Sequence, residues 1–377
     1  MNIRILGVTN GMSDISSFKE YSGVQAGICY MKDSYDALAE DAEKAIKRCE
    51  TAIKNGHQSI MEHIYITVLF EDVSKLFAMY LNSLKAYNTS EKSGRYTKIA
   101  KDNLLYDKWS RIFTELHTKN GTPNKINEDS RYILSVLNKG TTFAYTASWR
   151  TWLNIGVYCR RYNLSDADKF EYVLREEFLE LIMFIKANLE VPEFSEPTGY
   201  GKFNFVQDNF DNVKNEYGEN YSIVYPLSLV GAAQAERHRT TDLRIAFTEP
   251  VYYYTPAILD DSGYEVEWLR DLATVKYPQA QIVTCHERGT IEAFTQKCVE
   301  RLCGCAQEEI RNATLRNTAK YYKAVQGTYL EDMFERVVSN GKVRLKCDVC
   351  GRCSKPCGEK SKMYDTFNNL ISMEEDV

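Results

Sequence analysis

The chain has 377 residues, 44% hydrophobic and 26% charged, which excludes disordered, collagen-like and disulfide-miniprotein classes and leaves room for two domains. Its formal net charge of −5 argues against a protein that coats nucleic acid with its whole surface. Its apolar runs fall far short of the roughly 20 residues that span a bilayer, and the first residues lack the apolar core of a signal peptide, so the expectation is a cytoplasmic protein without membrane contact.

Along the chain, residues 3–8 read as β-prone and 35–55 as an amphipathic helix. After His57, residues 65–70 read as a strand and 74–85 as a helix with Ser74 as its N-cap. Residues 120–130 are turn-rich and lead into a helical segment at 130–138, and 166–189 form a helix that stops before Pro192. Between 192 and 222, Pro192, Pro197, Gly199, Gly201 and Gly218 interrupt a polar, aromatic stretch, which marks a boundary. Beyond it, 227–239 read as helix, 252–254 as extended, and 291–323 as one long helix. Apolar or small residues at 294, 298, 302, 306 and 310 give that helix a core-facing stripe.

The end of the chain is chemically distinct. Residues 336–362 hold eight Lys or Arg against two acids, a net +6 that leaves −11 for the remainder. Eleven cysteines is an odd number, and Cys347, Cys350, Cys353 and Cys357 follow C-x2-C-x2-C-x3-C. That crowding fits thiolate metal ligation in a reducing compartment better than a disulfide framework. The spacing leaves zinc and an iron–sulfur cluster both open. Neighbouring cations would lower the thiol pKa values and balance the thiolate charge. Such a tail could be a structural staple, a route for electrons, or a docking patch for nucleic acid.

Three further segments concentrate chemistry. Gly56-His57-Gln58-Ser59-Ile60-Met61-Glu62-His63 places two of the five histidines six apart, which is not the three- or four-residue spacing of ligands on a zinc helix. Lys85 to Tyr96 mixes hydroxyls with Glu91, Ser93 and Arg95, and by itself reads as a polar turn. Gln234-Ala235-Glu236-Arg237-His238-Arg239, followed by Arg244, is dense in bidentate cations suited to phosphate or pyrophosphate, and equally to a solvated helix face.

In combination these segments resemble the flavin-dependent thymidylate synthases. The first is similar to that family's GHxSxxEH element. The second ends in S-x-R-Y, with Ser83-Leu84-Lys85 standing where the family has RHR. Glu128-Asp129-Ser130-Arg131 resembles its EDAR element, and Thr146-Ala147-Ser148-Trp149-Arg150 its T-x-N-x-R element. The order then restarts with an intact Arg237-His238-Arg239, Thr284-Cys285-His286-Glu287-Arg288 and Ala306-Gln307-Glu308-Glu309-Ile310-Arg311, similar to AQxEIR. Phe247 stands where the second copy should have Ser.

The resemblance implies an α+β fold with long helices and a mostly antiparallel central sheet, present as two diverged copies at 1–195 and 220–335. A linker at 196–219 and a basic, cysteine-rich tail at 336–377 complete this organisation. It implies reductive methylation of dUMP to dTMP, with methylenetetrahydrofolate as carbon donor and FAD, reduced by NADPH, as hydride source. It assigns dUMP to Gln234, Glu91, Ser93, Arg95, Arg131 and Arg311, with Arg311 and Ser93 as the catalytic pair, Ser93 on the phosphate with Arg95 and Gln234 and Arg311 at the face of the uracil. It assigns FAD to His57, Ser59, Glu62, Arg237, His238, Arg239 and His286. Each copy keeps motif residues that the other has lost, which implies one composite site type per chain in a homodimer acting as a pseudo-tetramer. Altered chemistry on a pyrimidine nucleotide, such as hydroxymethylation, and an inactive nucleotide- or nucleic-acid-binding paralogue are the alternatives.

Overall fold

An apolar–polar alternation opens the chain as strand β1 (Asn2–Val8), antiparallel to β2 (Tyr65–Val73), in which Ile66, Val68 and Phe70 are fully buried. The computed structural model describes residues 1–31, 34–97, 103–117, 123–163, 172–189, 203–350 and 359–373. Residues 1–93 with 136–203 form one compact unit, and 94–135 with 204–377 form the other. The segment 94–135, expected within the first copy, therefore belongs to the second unit.

In the first unit, β1 is followed by α1 (Ile15–Gly27), α2 (Tyr35–Ala39) and α3 (Ala42–Lys54), so the helix expected over 35–55 is two helices. Gly23 lets α1 and α3 approach closely, since a Cβ there would lie 1.8 Å from the Ala45 carbonyl oxygen. After β2 come α4 (Lys75–Asn82) and β3 (Asn88–Glu91). The chain then contributes α5 (Leu104–Leu116) and α6 (Pro123–Ser130) to the second unit and returns with β4 (Thr141–Ser148), α7 (Trp149–Asn163) and α8 (Tyr172–Asn188). The sheet order is β1-β2-β4-β3, antiparallel throughout. Phe70 and Phe143 stack across neighbouring strands at 4.9 Å over a core completed by Phe77, Trp152 and Phe178. Each such buried ring contributes about 1.5–3 kcal/mol by leaving water.

The second unit continues with β5 (Val206–Gln207), β6 (Asn220–Ser228), α9 (Leu229–Glu236), β7 (Asp242–Phe247), α10 (Glu265–Ala273) and β8 (Ile282–Thr290). Then follow α11 (Ile291–Arg301), α12 (Glu308–Val325), α13 (Glu331–Phe334), β9 (Val338–Ser339), β10 (Lys342–Val343), α14 (Lys346–Cys350) and α15 (Lys360–Ser372). Its sheet order is β5-β7-β8-β6, with β6, β8 and β7 antiparallel. The apolar faces of α5 and α10 explain why 94–135 joins this unit. Trp109 meets Trp268 edge to face at 4.7 Å, and its indole N–H donates to Asp271 at 2.9 Å.

Three expectations are corrected here. Residues 123–130 are helical, because Pro123 sits at the first helical position, where its fixed φ favours the helix and its missing N–H costs nothing. The helix expected at 130–138 is instead one 3-10 turn at Arg131–Ile133. The Tyr132 carbonyl within it and the Leu134 carbonyl after it accept from the backbone N–H groups of Ala280 and Gln279, respectively. The single helix expected over 291–323 is two. α11 stops at Arg301, Gly304 lies in the break, and Gln307 has non-helical φ/ψ at the start of α12.

The same anchoring device occurs once in each unit. Ser74 caps α4 by accepting from the Phe77 N–H, while its own N–H and hydroxyl both donate to the Glu177 carboxylate of α8 at 2.6 Å. Ser228 caps α9 by accepting from the Gly231 N–H, while its N–H and hydroxyl both donate to the Glu309 carboxylate of α12 at 2.6 Å. All four side chains are buried.

Candidate functional site

The first unit has a cavity of about 1010 Å³ built on the end of α3. Gly56 adopts φ 82°, a left-handed conformation that glycine takes at little cost, and closes α3 with two bonds. The His57 N–H donates to the Ala52 carbonyl and the Gly56 N–H to the Ile53 carbonyl, the Schellman pattern. This stop releases the 3-10 segment Gln58–His63 and brings His57, Ser59, Glu62 and His63 to the cavity wall. Glu62 is held by Arg150 at 2.7 Å. Lys44, Lys47 and Arg48 of α3 line the same cavity, giving it a cationic wall that motif reading missed. Their three- and four-residue spacing is the signal that could have found them. Glu91, in β3, instead pairs with Lys75 at 2.5 Å, and Ser93 closes the unit's first chain segment.

A second cavity, of about 220 Å³, lies in the second unit and brings Arg95 and Arg311 together with Lys125, Glu128, Glu308 and Glu359. The break between α11 and α12 makes it possible. Carbonyls there have no intrahelical partner and accept from side chains instead. Arg95 Nη1 donates to the Cys305 carbonyl at 2.9 Å, and Arg311 Nη1 to the Gly304 carbonyl at 3.4 Å. Arg95 Nε lies 2.6 Å from Glu128, and Arg311 Nη2 donates to Glu359 at 3.0 Å. Arg311 is 4% exposed, and its buried Nε has no hydrogen-bond partner among the described residues. Lys125 reaches Glu308 at 2.8 Å, Glu128 at 3.1 Å and Asp129 at 3.3 Å. Burial alone would lower the Lys125 pKa, but these carboxylates outweigh it and raise it. Burial would raise Glu308, and Lys125 outweighs that too, so its carboxyl stays below its usual range.

Arg131 follows Glu128 by one helical turn and is 6% exposed. Its Nε and Nη2 are buried without hydrogen-bond partners among the described residues, and burial lowers its pKa. It is near enough to Glu128, Arg95 and Glu309 for their charges to act on it. The arrangement suits an anion. Guanidinium donors lie in or beside a partly enclosed cleft, and the local acids hold them in place.

The remaining sequence-predicted residues lie elsewhere in this unit. Arg237 and Arg239 are exposed, whereas His238 is buried and its Nε2 accepts from Arg301 Nε at 2.6 Å. Arg301 Nη2 donates to the Gln234 carbonyl at 3.0 Å, and burial, then Arg237, lowers the Arg301 pKa to about 10. His286 lies on β8 with Nε2 2.8 Å from the Ser222 hydroxyl. Burial, then Arg288 and Arg244, lowers its pKa. The clefts described above thus do not include Gln234, the Arg237–Arg239 run or His286.

Of the four tail cysteines, Cys347 is half-buried in α14. Cys350 ends that helix, but its side chain lies outside the described residues, as do Cys353 and Cys357 entirely. Among the described residues, no three His, Cys, Asp or Glu side chains cluster as metal ligands. None of the described helices is long and apolar enough to cross a membrane.

The family described as Thymidylate synthase complementing protein matches residues 19–325. No curated protein matches the chain. Among solved structures, it is similar to Thymidylate Synthase X from Helicobacter pylori with FAD and dUMP. That likeness has 16% identity and a TM-score of 0.33, covering 53% of this chain and 100% of that one. A second structure, flavin dependent thymidylate synthase from the same organism complexed with FAD and dUMP, is 17% identical with a TM-score of 0.31. It covers 48% of this chain and 91% of that one.

Proposed function

Because the chain belongs to the family of the Thymidylate synthase complementing protein, we propose that it converts dUMP to dTMP, with methylenetetrahydrofolate donating carbon and FAD, reduced by NADPH, donating hydride. The observation that carries this reading is the cleft that draws Arg95 and Arg311 together, with Arg131 behind Glu128. These are the arginines that the motif resemblance in the sequence would give to dUMP. A nucleoside monophosphate brings a phosphate dianion, and negative charge builds on the uracil as it attacks the one-carbon unit. Arg95 would take the phosphate, together with Ser93 and Gln234. Arg311, already oriented by Gly304 and Glu359, would face the base and stabilise its developing charge.

The large cavity of the first unit suits a dinucleotide in volume and in donor chemistry, with Lys44, Lys47 and Arg48 lining it together with His57, Ser59 and Glu62. These residues would hold FAD, which when bound supplies the hydride chemistry. The protein's part is to fix position and charge and to keep water from the reacting base. The proposal includes two diverged copies of one unit, at 1–195 and 220–335, joined by a linker and followed by the tail. Its support is the repeated order strand, serine-capped helix, strand, a helix-containing connection, strand, helix, helix and the repeated Ser–Glu clamp. Two such chains would form a homodimer acting as a pseudo-tetramer, and the tail cysteines would hold zinc or an iron–sulfur cluster.

Incubating the protein with dUMP, methylenetetrahydrofolate, FAD and NADPH and weighing the nucleotide product tests the reading. A mass gain of one methyl group in place of hydrogen is expected. A hydroxymethyl product would instead assign the altered chemistry suggested by Ser83-Leu84-Lys85 and Phe247, and unchanged dUMP would refute both.

A further inference from the structure

The cationic wall of the first unit's cavity is not part of any motif that led to the family, and it is built from one face of one helix. On α3, Lys44, Lys47, Arg48, Thr51 and Asn55 recur at intervals of three and four and line the cavity, while Ala45, Cys49 and Ile53 are buried on the opposite side. The buried face is pinned against α1 at Gly23, where the backbones touch too closely for any Cβ. The stripe therefore has little freedom to rotate away.

Three cations at i, i+3 and i+4 repel one another, and an isolated helix would be weakened by them. Among the described residues neither Lys44 nor Lys47 makes an ion pair, and Arg48 donates Nη1 to the Gly23 carbonyl at 2.8 Å, which orients its remaining donors. Glu62, an acid that lines the same cavity, is already engaged by Arg150. The local surplus of positive charge thus faces about 1010 Å³ of open volume, the upper end of the range for small-molecule sites. The same unit carries Ser83-Leu84-Lys85 where the family pattern has its arginine pair.

We propose that Lys44, Lys47 and Arg48 bind the pyrophosphate of a dinucleotide whose other parts contact His57, Ser59 and His63. The proposal rests on the flavin reading in naming FAD as that dinucleotide. A pyrophosphate supplies two negative charges over a few ångströms, matching cations one helical turn apart, and a riboflavin or a mononucleotide base would not use the stripe.

The test uses full-length protein stripped of flavin and titrated with FAD, riboflavin and ADP-ribose at low and high salt. The double variant Lys44→Ala/Lys47→Ala replaces exposed residues with the best helix former, and circular dichroism checks that it is folded. FAD and ADP-ribose should each bind roughly 10- to 100-fold more weakly to it, as expected for lost charged hydrogen bonds. Riboflavin binding should be unchanged and the salt dependence of FAD binding shallower. Lys44→Arg/Lys47→Arg should restore the affinity. A folded alanine variant with wild-type FAD affinity, or one that loses riboflavin equally, overturns the proposal and leaves the flavin reading intact. Wild-type protein that binds ADP-ribose through these lysines but no flavin refutes the flavin reading alone. Binding of neither refutes both.

Discussion

Arg311 illustrates how much of a site one residue can organise. It lies one turn into α12, its neighbour Glu309 is committed to the Ser228 clamp, and Glu308 is committed to Lys125. Glu308 and Arg311, three positions apart, thus share the face that lines the cleft, while Glu309 between them turns to the clamp. Replacing Arg311 with alanine removes buried donors and leaves Glu359 and the Gly304 carbonyl unpaired. Turnover at limiting dUMP should fall by about 10- to 100-fold, the value of a charged hydrogen bond, with flavin content unchanged. Steady-state kinetics and the flavin absorbance of the purified variant check both, and undiminished turnover would remove Arg311 from the reaction. At this scale Arg95, Arg131 and Arg311 were legible as candidates because their motifs are local in sequence. Lys125, Glu308 and Glu359 were not legible as site residues, because nothing in their own neighbourhoods says that they meet.

Among elements, the serine-capped helices are the clearest case of local and tertiary effects acting together. Ser74 was readable as an N-cap, but its partner Glu177 lies in α8 and is invisible to any local rule. Burial raises the Glu177 carboxyl to about 6 from 4.5, despite the opposing bonds from Ser74. The folded state therefore holds that proton more tightly than the unfolded chain. Its contribution to stability is full below pH 4.5 and is lost as pH rises through 6, a change of about 2 kcal/mol. Glu177→Gln should remove that component from the pH profile measured by chemical denaturation, and a variant whose profile parallels wild type would refute the assignment. In the second unit Gly231 serves the equivalent clamp, since a Cβ there would lie 2.8 Å from the Glu309 carboxylate. The split of 291–323 into α11 and α12 escaped periodicity for a physical reason. Phe294, Cys298, Leu302 and Ile310 are all buried on either side of the break, so the apolar spacing continues where the backbone does not.

At the scale of the whole molecule, length is the most informative sequence feature. Two units carrying the same clamp and the same antiparallel strand order, β2-β4-β3 and β6-β8-β7, are what a duplication would leave. Complementary motif loss then predicts one flavin per chain. Absorbance of the bound flavin against polypeptide concentration should give a ratio near one, and two equivalent flavins per chain would refute the composite arrangement. The family, the strand at 65–70, the cap at Ser74 and the arginine motifs followed from sequence alone, because each depends on residues within a few positions of one another. Only the tertiary structure assigned 94–135 to the second unit, broke the long helix, and turned the freed carbonyls of Gly304 and Cys305 toward two arginines. Those outcomes depend on which distant surfaces bury one another, such as Trp109 against Trp268, and on which unpaired backbone groups find partners. Local pattern carries neither.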